Sequence, residues 1–182
     1  MSKRQDNVFT SVQSQPVESN MFDHSHDVRM TFKMGGLYPF LCQEVVPGDV
    51  FNIDHAVLAR FAPLIAPVMH KVKLITEYFF VPNRILWDGW EDFITGVGTP
   101  PLWPYIRLEN AVDPRTFADY VGVPPVDYTQ NPINVNALPM AAYLKIYDDW
   151  YRYAPVIDPK SPVVVAGENV DLLTYFNAPV LS

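Results

Sequence analysis

Asp88, Glu91 and Asp92 stand beside Trp87 and Trp90 in the run Leu86-Trp87-Asp88-Gly89-Trp90-Glu91-Asp92. Carboxylates next to indoles suit carbohydrate chemistry, in which paired carboxyls act on a glycosidic bond. The Trp87/Trp90 and Asp88/Glu91 cluster therefore supports one reading, a carbohydrate-binding or carbohydrate-cleaving β-sandwich. The simpler reading is an amphipathic helix with a solvated acidic face, because carboxylates on helix surfaces are commonplace. Asp148 and Asp149 are adjacent on a helix, so their side chains diverge by about 100° and cannot share one substrate atom. His24 and His26 alternate in the polar run Asp23–Asp27, a spacing open to a metal on an extended segment. In a polar loop such a pair is ordinarily just solvated. His55 and His70 have no partner that spacing identifies. Phosphate-binding glycine loops, His-Glu-x-x-His pairs and nucleophile elbows are absent, so the sequence calls for no catalytic residue and no cofactor.

Charge and composition narrow the classes further. The formal charge is −7, with 13 basic against 20 acidic residues. A protein that holds nucleic acid unaided normally carries a basic patch. The one early basic cluster is Lys3-Arg4, the candidate DNA-facing pair, which also reads as a solvated N-terminus. Cys42 is the sole cysteine; a disulfide within the chain is excluded, and its apolar neighbours predict a buried structural thiol. The polar opening does not read as a signal peptide, and no apolar run approaches a membrane span. Hydrophobic residues make up 49% and aromatics 14%, which excludes a disordered chain. The 18 prolines against 8 glycines predict fixed, extended connections between short elements.

The elements that must position these residues follow from period. Residues 1–27 read as a polar N-terminal arm without periodicity. Val28, Met30, Phe32 and Met34 alternate with Arg29, Thr31 and Lys33, predicting a half-buried strand. Leu37–Val46 predicts a second extended run, with Pro39 placing it at an edge or bend. Pro47, Gly48 and Asp49 predict a tight turn, Pro presetting one corner and Gly accepting positive φ at the next. Val50–Ile53 leads out as another strand. Residues 58–68, with Pro63 and Pro67, read as a crossing between sheets. His70–Phe80 alternates as one long strand that ends at Pro82. Leu86, Trp90 and Phe93 then switch to helical spacing, stopped at Gly96. Residues 28–96 are thus expected to hold strands and an aromatic helix.

Beyond Gly98 the chain reads as Pro-rich loops with short docked helices over 97–182. Asp113-Pro114 is predicted to open a helix closed by Gly122. The Pro- and aromatic-rich stretch before it, 99–110, and the stretch 128–136 after it both read as loops. Pro139 opens the best helix, over 139–154. Its stripe of Tyr143, Leu144, Tyr147, Trp150 and Tyr151 faces Lys145, Asp148, Asp149 and Arg152. Such an aromatic stripe more often means core or subunit contact than a ligand site. Trp87, Trp90 and Phe93 get the same reading. Val163–Ala166 is the last short apolar run.

Four ordered blocks carry a resemblance. KMGGLYPFLCQEVVPGDVF (33–51), LARFAPLIAPVMHKVKL (58–74), YFFVPNRILWDGWEDFITG (78–96) and LPMAAYLKIYDDWYRY (138–153) together resemble the major capsid proteins of the Microviridae, the small tailless single-stranded DNA phages, and most of all their gokushovirus branch. The resemblance implies a mainly β protein built on a viral jelly roll, an eight-stranded antiparallel sandwich. It implies long insertions between strands and self-assembly into a T=1 icosahedral shell around a single-stranded DNA genome. It further implies a non-enzymatic structural role in the virion, assembly in the host bacterial cytoplasm, and loops that meet a host receptor. A separate small basic DNA-binding protein would neutralise part of the genome, in keeping with the acidic charge here. Family members are longer, and about four strands precede Pro82, half a jelly roll. The remaining strands are therefore expected beyond Ser182.

Overall fold

A computed structural model describes residues 18–98 and 102–159. Lys3, Arg4 and Val163–Ala166 lie outside the described residues. The packed part of the structure falls between Leu86 and Tyr147, the half of the chain that composition presents as the less regular.

Its centre is a helix and a hairpin. β1 (Tyr105–Leu108) pairs antiparallel with β2 (Ile133–Asn136), with Ile106 opposite Val135 and Leu108 opposite Ile133. Ile106 and Leu108 point inward and are fully buried; Arg107, one residue out of phase, is exposed. Period-two geometry forces that division. Both strands lie in stretches expected to be loops. Four residues flanked by prolines are too short a run for alternation to be read with certainty, and the pairing is what makes them strands.

α4 (Leu138–Ile146) follows β2 directly. Proline sits in its first turn, where its missing N–H costs nothing, and Asn136 Oδ1 accepts a hydrogen bond from the Leu138 amide at 3.0 Å. Leu138, Met140, Ala141, Tyr143 and Leu144 are buried on the hairpin and on Phe117. The helix is shorter than the 139–154 expected: it widens into a π-helical turn at Tyr147–Tyr151, and Arg152 is extended. The wider turn alters the angular spacing of the aromatic stripe. Tyr147 stays inside, whereas Trp150 is 72% exposed.

Before the hairpin, α1 (Asn83–Leu86) and α2 (Trp90–Thr95) bring Trp87 into the core at 3% exposure, with Leu86, Trp90 and Phe93 packed around it. Gly96 ends α2 at φ 63, and its amide donates to Asp92 O at 3.0 Å. α3 (Phe117–Val121) closes at Gly122, φ 107, where Val123 N donates to Ala118 O at 2.9 Å. α3 starts later than Asp113-Pro114 predicts. Arg115 adopts φ 65 and interrupts the helical path, Thr116 becomes the N-cap residue, and the Thr116 hydroxyl donates to Asp113 O at 2.8 Å.

The segments expected as strands over 28–80 form no ladder among the described residues. A strand is defined by its partner; alternation fixes which side chains share a face, not what those faces meet. The turn between two of these segments has the predicted geometry. Asp49 N donates to Val46 O at 3.1 Å, Gly48 sits at φ 98, and Asp49 Oδ2 accepts from Val46 N at 3.0 Å. Cys42 is exposed, not buried as its apolar neighbours predict, because no described layer covers this segment. Its thiol pKa is raised, first by desolvation around the sulfur and then by Glu44, which favours the unreactive thiol.

Candidate assembly interface

The N-terminal half lies on the packed unit through side chains. The Tyr143 hydroxyl donates to Leu37 O at 2.7 Å and the Tyr120 hydroxyl to Thr31 O at 2.5 Å. Tyr38 stacks edge-on to Tyr120, with ring centroids 5.1 Å apart. Farther along, Tyr151 donates to the Glu77 carboxylate, and Phe79 packs against both Trp150 and Tyr151 at 5.7 and 6.2 Å. Burial raises the pKa of Tyr143, and of Tyr151 to about 12, with the Glu77 hydrogen bond as the second cause for Tyr151. His55 holds three segments together. Its Nδ1 is 2.9 Å from the Tyr78 hydroxyl, its Nε2 is 3.1 Å from Thr76 Oγ1, and its ring lies beside Phe40. A neutral imidazole satisfies both bonds by donating one and accepting the other.

What these ties leave uncovered is apolar. Val72, Leu74, Tyr78 and Phe80 occupy one face of the 70–80 run and are 43–74% exposed, as Val28, Phe32 and Met34 on the first run are 48–67% exposed. Phe80 is 74% exposed beside Trp150, and with Ile85 and Ile146 they line a shallow cleft of about 80 Å³. Isolated exposed apolar residues are normal; two sequence-ordered rows of them are the mark of an interaction surface.

The residues singled out from sequence divide accordingly. Trp87, Tyr143 and Tyr147 are core, Trp90 and Phe93 pack against it, Tyr151 is half-buried and Trp150 is open. Trp87 and Trp90 meet edge to face at 6.5 Å, and Phe93 fills the space against both. The indole that would carry a sugar is thus occupied by protein. Asp148 pairs with Arg152 (3.7 Å) and Asp149 with Lys145 (2.9 Å), each at i, i+4. His26 Nδ1 donates to His24 O at 2.7 Å. Among the described residues no group of three or more His, Cys, Asp or Glu could hold a metal ion. No described helix is long and apolar enough to cross a membrane.

Residues 10–170 match the family described as "Capsid protein (F protein)". The chain belongs to this phage capsid protein family. Its relatives include capsid protein VP1 of Chlamydia phage 1, 36% identical over 159 residues, which cover 80% of this chain and 26% of that protein. Capsid protein VP1 of Bdellovibrio phage phiMH2K is 32% identical over 157 residues, or 83% of this chain and 29% of the relative. Capsid protein VP1 of Spiroplasma virus 4 is 30% identical over 134 residues, 70% and 24%. The chain thus spans about a quarter of the length of the curated capsid proteins it matches. Membership in the capsid family is consistent with a β-rich protein.

Proposed function

We propose that this chain is part of a structural capsid protein that assembles with copies of itself into an icosahedral shell around a single-stranded DNA genome. The observation that carries the reading is the pair of apolar rows over 28–34 and 70–80, periodic as strands yet lacking ladder partners among the described residues. In this reading the rows are the inner faces of a jelly roll whose other strands come from outside this span. The unit around α4 and the β1–β2 hairpin is an insertion folded against that sandwich. Trp150 and Phe80 lie at its rim as contacts between copies, in the manner of aromatic anchors at an interface. The protein works in the virion without catalysis, is assembled in the host cytoplasm, and meets a host receptor through loops. A small basic partner shares the neutralisation of the genome, which accords with the charge of −7.

The test is sedimentation velocity and negative-stain imaging of the product of the complete reading frame that carries this sequence. Closed particles or large uniform oligomers are expected. A stable monomer with no tendency to associate would overturn the reading.

A further inference from the structure

The turn Tyr147–Tyr151 is π-helical: Arg152 N donates to Tyr147 O, five residues back, at 2.9 Å. In an α-helix that carbonyl takes its bond from Tyr151 instead. The π register holds one residue more in the turn, so Tyr151 stands where Trp150 would stand in an α-helix. The side chains agree. Tyr151 is half-buried, and it is near enough to Tyr143 to be one cause of the raised Tyr143 pKa, after burial, Tyr38 and Tyr147. Trp150 is open. Residue order favours the reverse. Tyr143, Tyr147 and Trp150 are spaced as one α-helical stripe, and an indole buries more apolar surface than a phenol. Two aromatic side chains thus compete for one half-buried place.

Contacts from another segment decide the competition. The Tyr151 hydroxyl donates to the Glu77 carboxylate, and Phe79 packs on the Tyr151 ring at 6.2 Å. Both contacts are lost if Tyr151 turns out by one place, about 100° around the helix. Against them stands an unmet group. Arg152 Nη1 donates to Ile157 O at 2.7 Å, but Arg152 Nε is buried without a hydrogen bond, 3.7 Å from Asp148 Oδ1. A buried donor without an acceptor destabilises the state that contains it. The π register is held from outside, by residues 77–79, and carries a defect of its own. Single π turns within helices recur at functional sites.

We propose that Tyr147–Tyr151 is a two-state element. In the π register Tyr151 is in and Trp150 is out; in an α register Trp150 takes the half-buried place and Tyr151 leaves Glu77. The register thereby decides whether Trp150 is presented beside Phe80. That regulatory consequence rests on the reading of Trp150 as a contact between copies. The two registers do not, since they stand on bonds within one chain.

The experiment is fluorine NMR of the complete reading-frame product, labelled with fluorotryptophan and kept dissociated. The Trp150 signal is assigned by its loss in W150F. A major resonance with a solvent isotope shift and a minor, protected one are expected. Y151F and E77A remove the Tyr151–Glu77 bond from either end, and each is expected to raise the protected population about tenfold. Each is also expected to lower the yield of assembled particles in step with the outward population lost. Deletion of Asp149 removes the extra residue of the turn, so Tyr151 keeps its place through α-type bonds. For that variant one outward resonance and an undiminished particle yield are expected. A Trp150 resonance that stays single and solvent-exposed in wild type, Y151F and E77A would overturn the two registers. Shifted populations with unchanged particle yield would overturn the regulatory role. Should the wild type not assemble, the shell reading falls, and the resonances still decide the registers.

Discussion

Tyr143 and Leu37 are joined by one hydrogen bond, the tyrosine hydroxyl donating to the leucine carbonyl at 2.7 Å. Tyr143 also stacks on Phe117 at 4.4 Å, so a single α4 side chain holds the core together and pins the incoming N-terminal run. Tyr143→Phe keeps the ring and leaves the Leu37 carbonyl without its donor. The expected cost is about 1–3 kcal/mol, seen as a lower midpoint in urea, with faster amide exchange confined to residues around 33–41.

The Tyr151–Glu77 bond makes stability sensitive to alkaline pH. Tyr151 is raised to about 12 from an ordinary value near 10, so the folded state holds its proton more tightly than the unfolded state. The contribution is complete below about pH 10 and is lost as pH rises through about 12. In an alkaline titration followed by circular dichroism, Tyr151→Phe should lower stability at neutral pH and reduce the loss between pH 10 and 12. A slope identical to that of wild type would show that Tyr151 does not couple there.

Leu144 is 1% exposed in the last turn of α4. Leu144→Ala leaves a cavity between helix and hairpin, and about 2–5 kcal/mol of destabilisation is expected. Against a total stability of about 5–15 kcal/mol for a typical domain, that is enough to move a thermal midpoint by many degrees. Differential scanning calorimetry measures it directly.

Trp150 and Phe80 make the opposite case. Both are largely exposed, so Trp150→Ser and Phe80→Ser should change the thermal midpoint little. On the proposed role they should instead lower the yield of assembled particles by sedimentation. Normal assembly by the double variant would remove this surface from the interface.

His55 gives a prediction about the ties among the N-terminal segments. Its two ring nitrogens are hydrogen-bonded to Tyr78 and Thr76. His55→Ala should raise proteolytic cleavage around 53–57 and 74–78 while leaving the α4–hairpin core intact by calorimetry.

Much that is local was legible from residue order. Pro47-Gly48-Asp49 makes its turn, Gly96 and Gly122 stop their helices in the left-handed region, and Pro139 marks the start of α4. Such features depend on backbone sterics and bonds spanning a few residues, which the order of residues determines by itself. The four ordered blocks likewise identified the capsid family before any geometry. The rest required the chain to meet itself. β1 and β2 are strands because Ile106 finds Val135 across the connection that carries α3. Cys42 is exposed for want of a described covering layer. The π-helical turn divides one aromatic stripe into a buried Tyr147 and an open Trp150. Arg29 and Arg115 come to line one cleft only because α3 meets the N-terminal run through Tyr120. Ladder pairing, burial and the meeting of like charges are relations between distant residues, and period and composition contain no term for them.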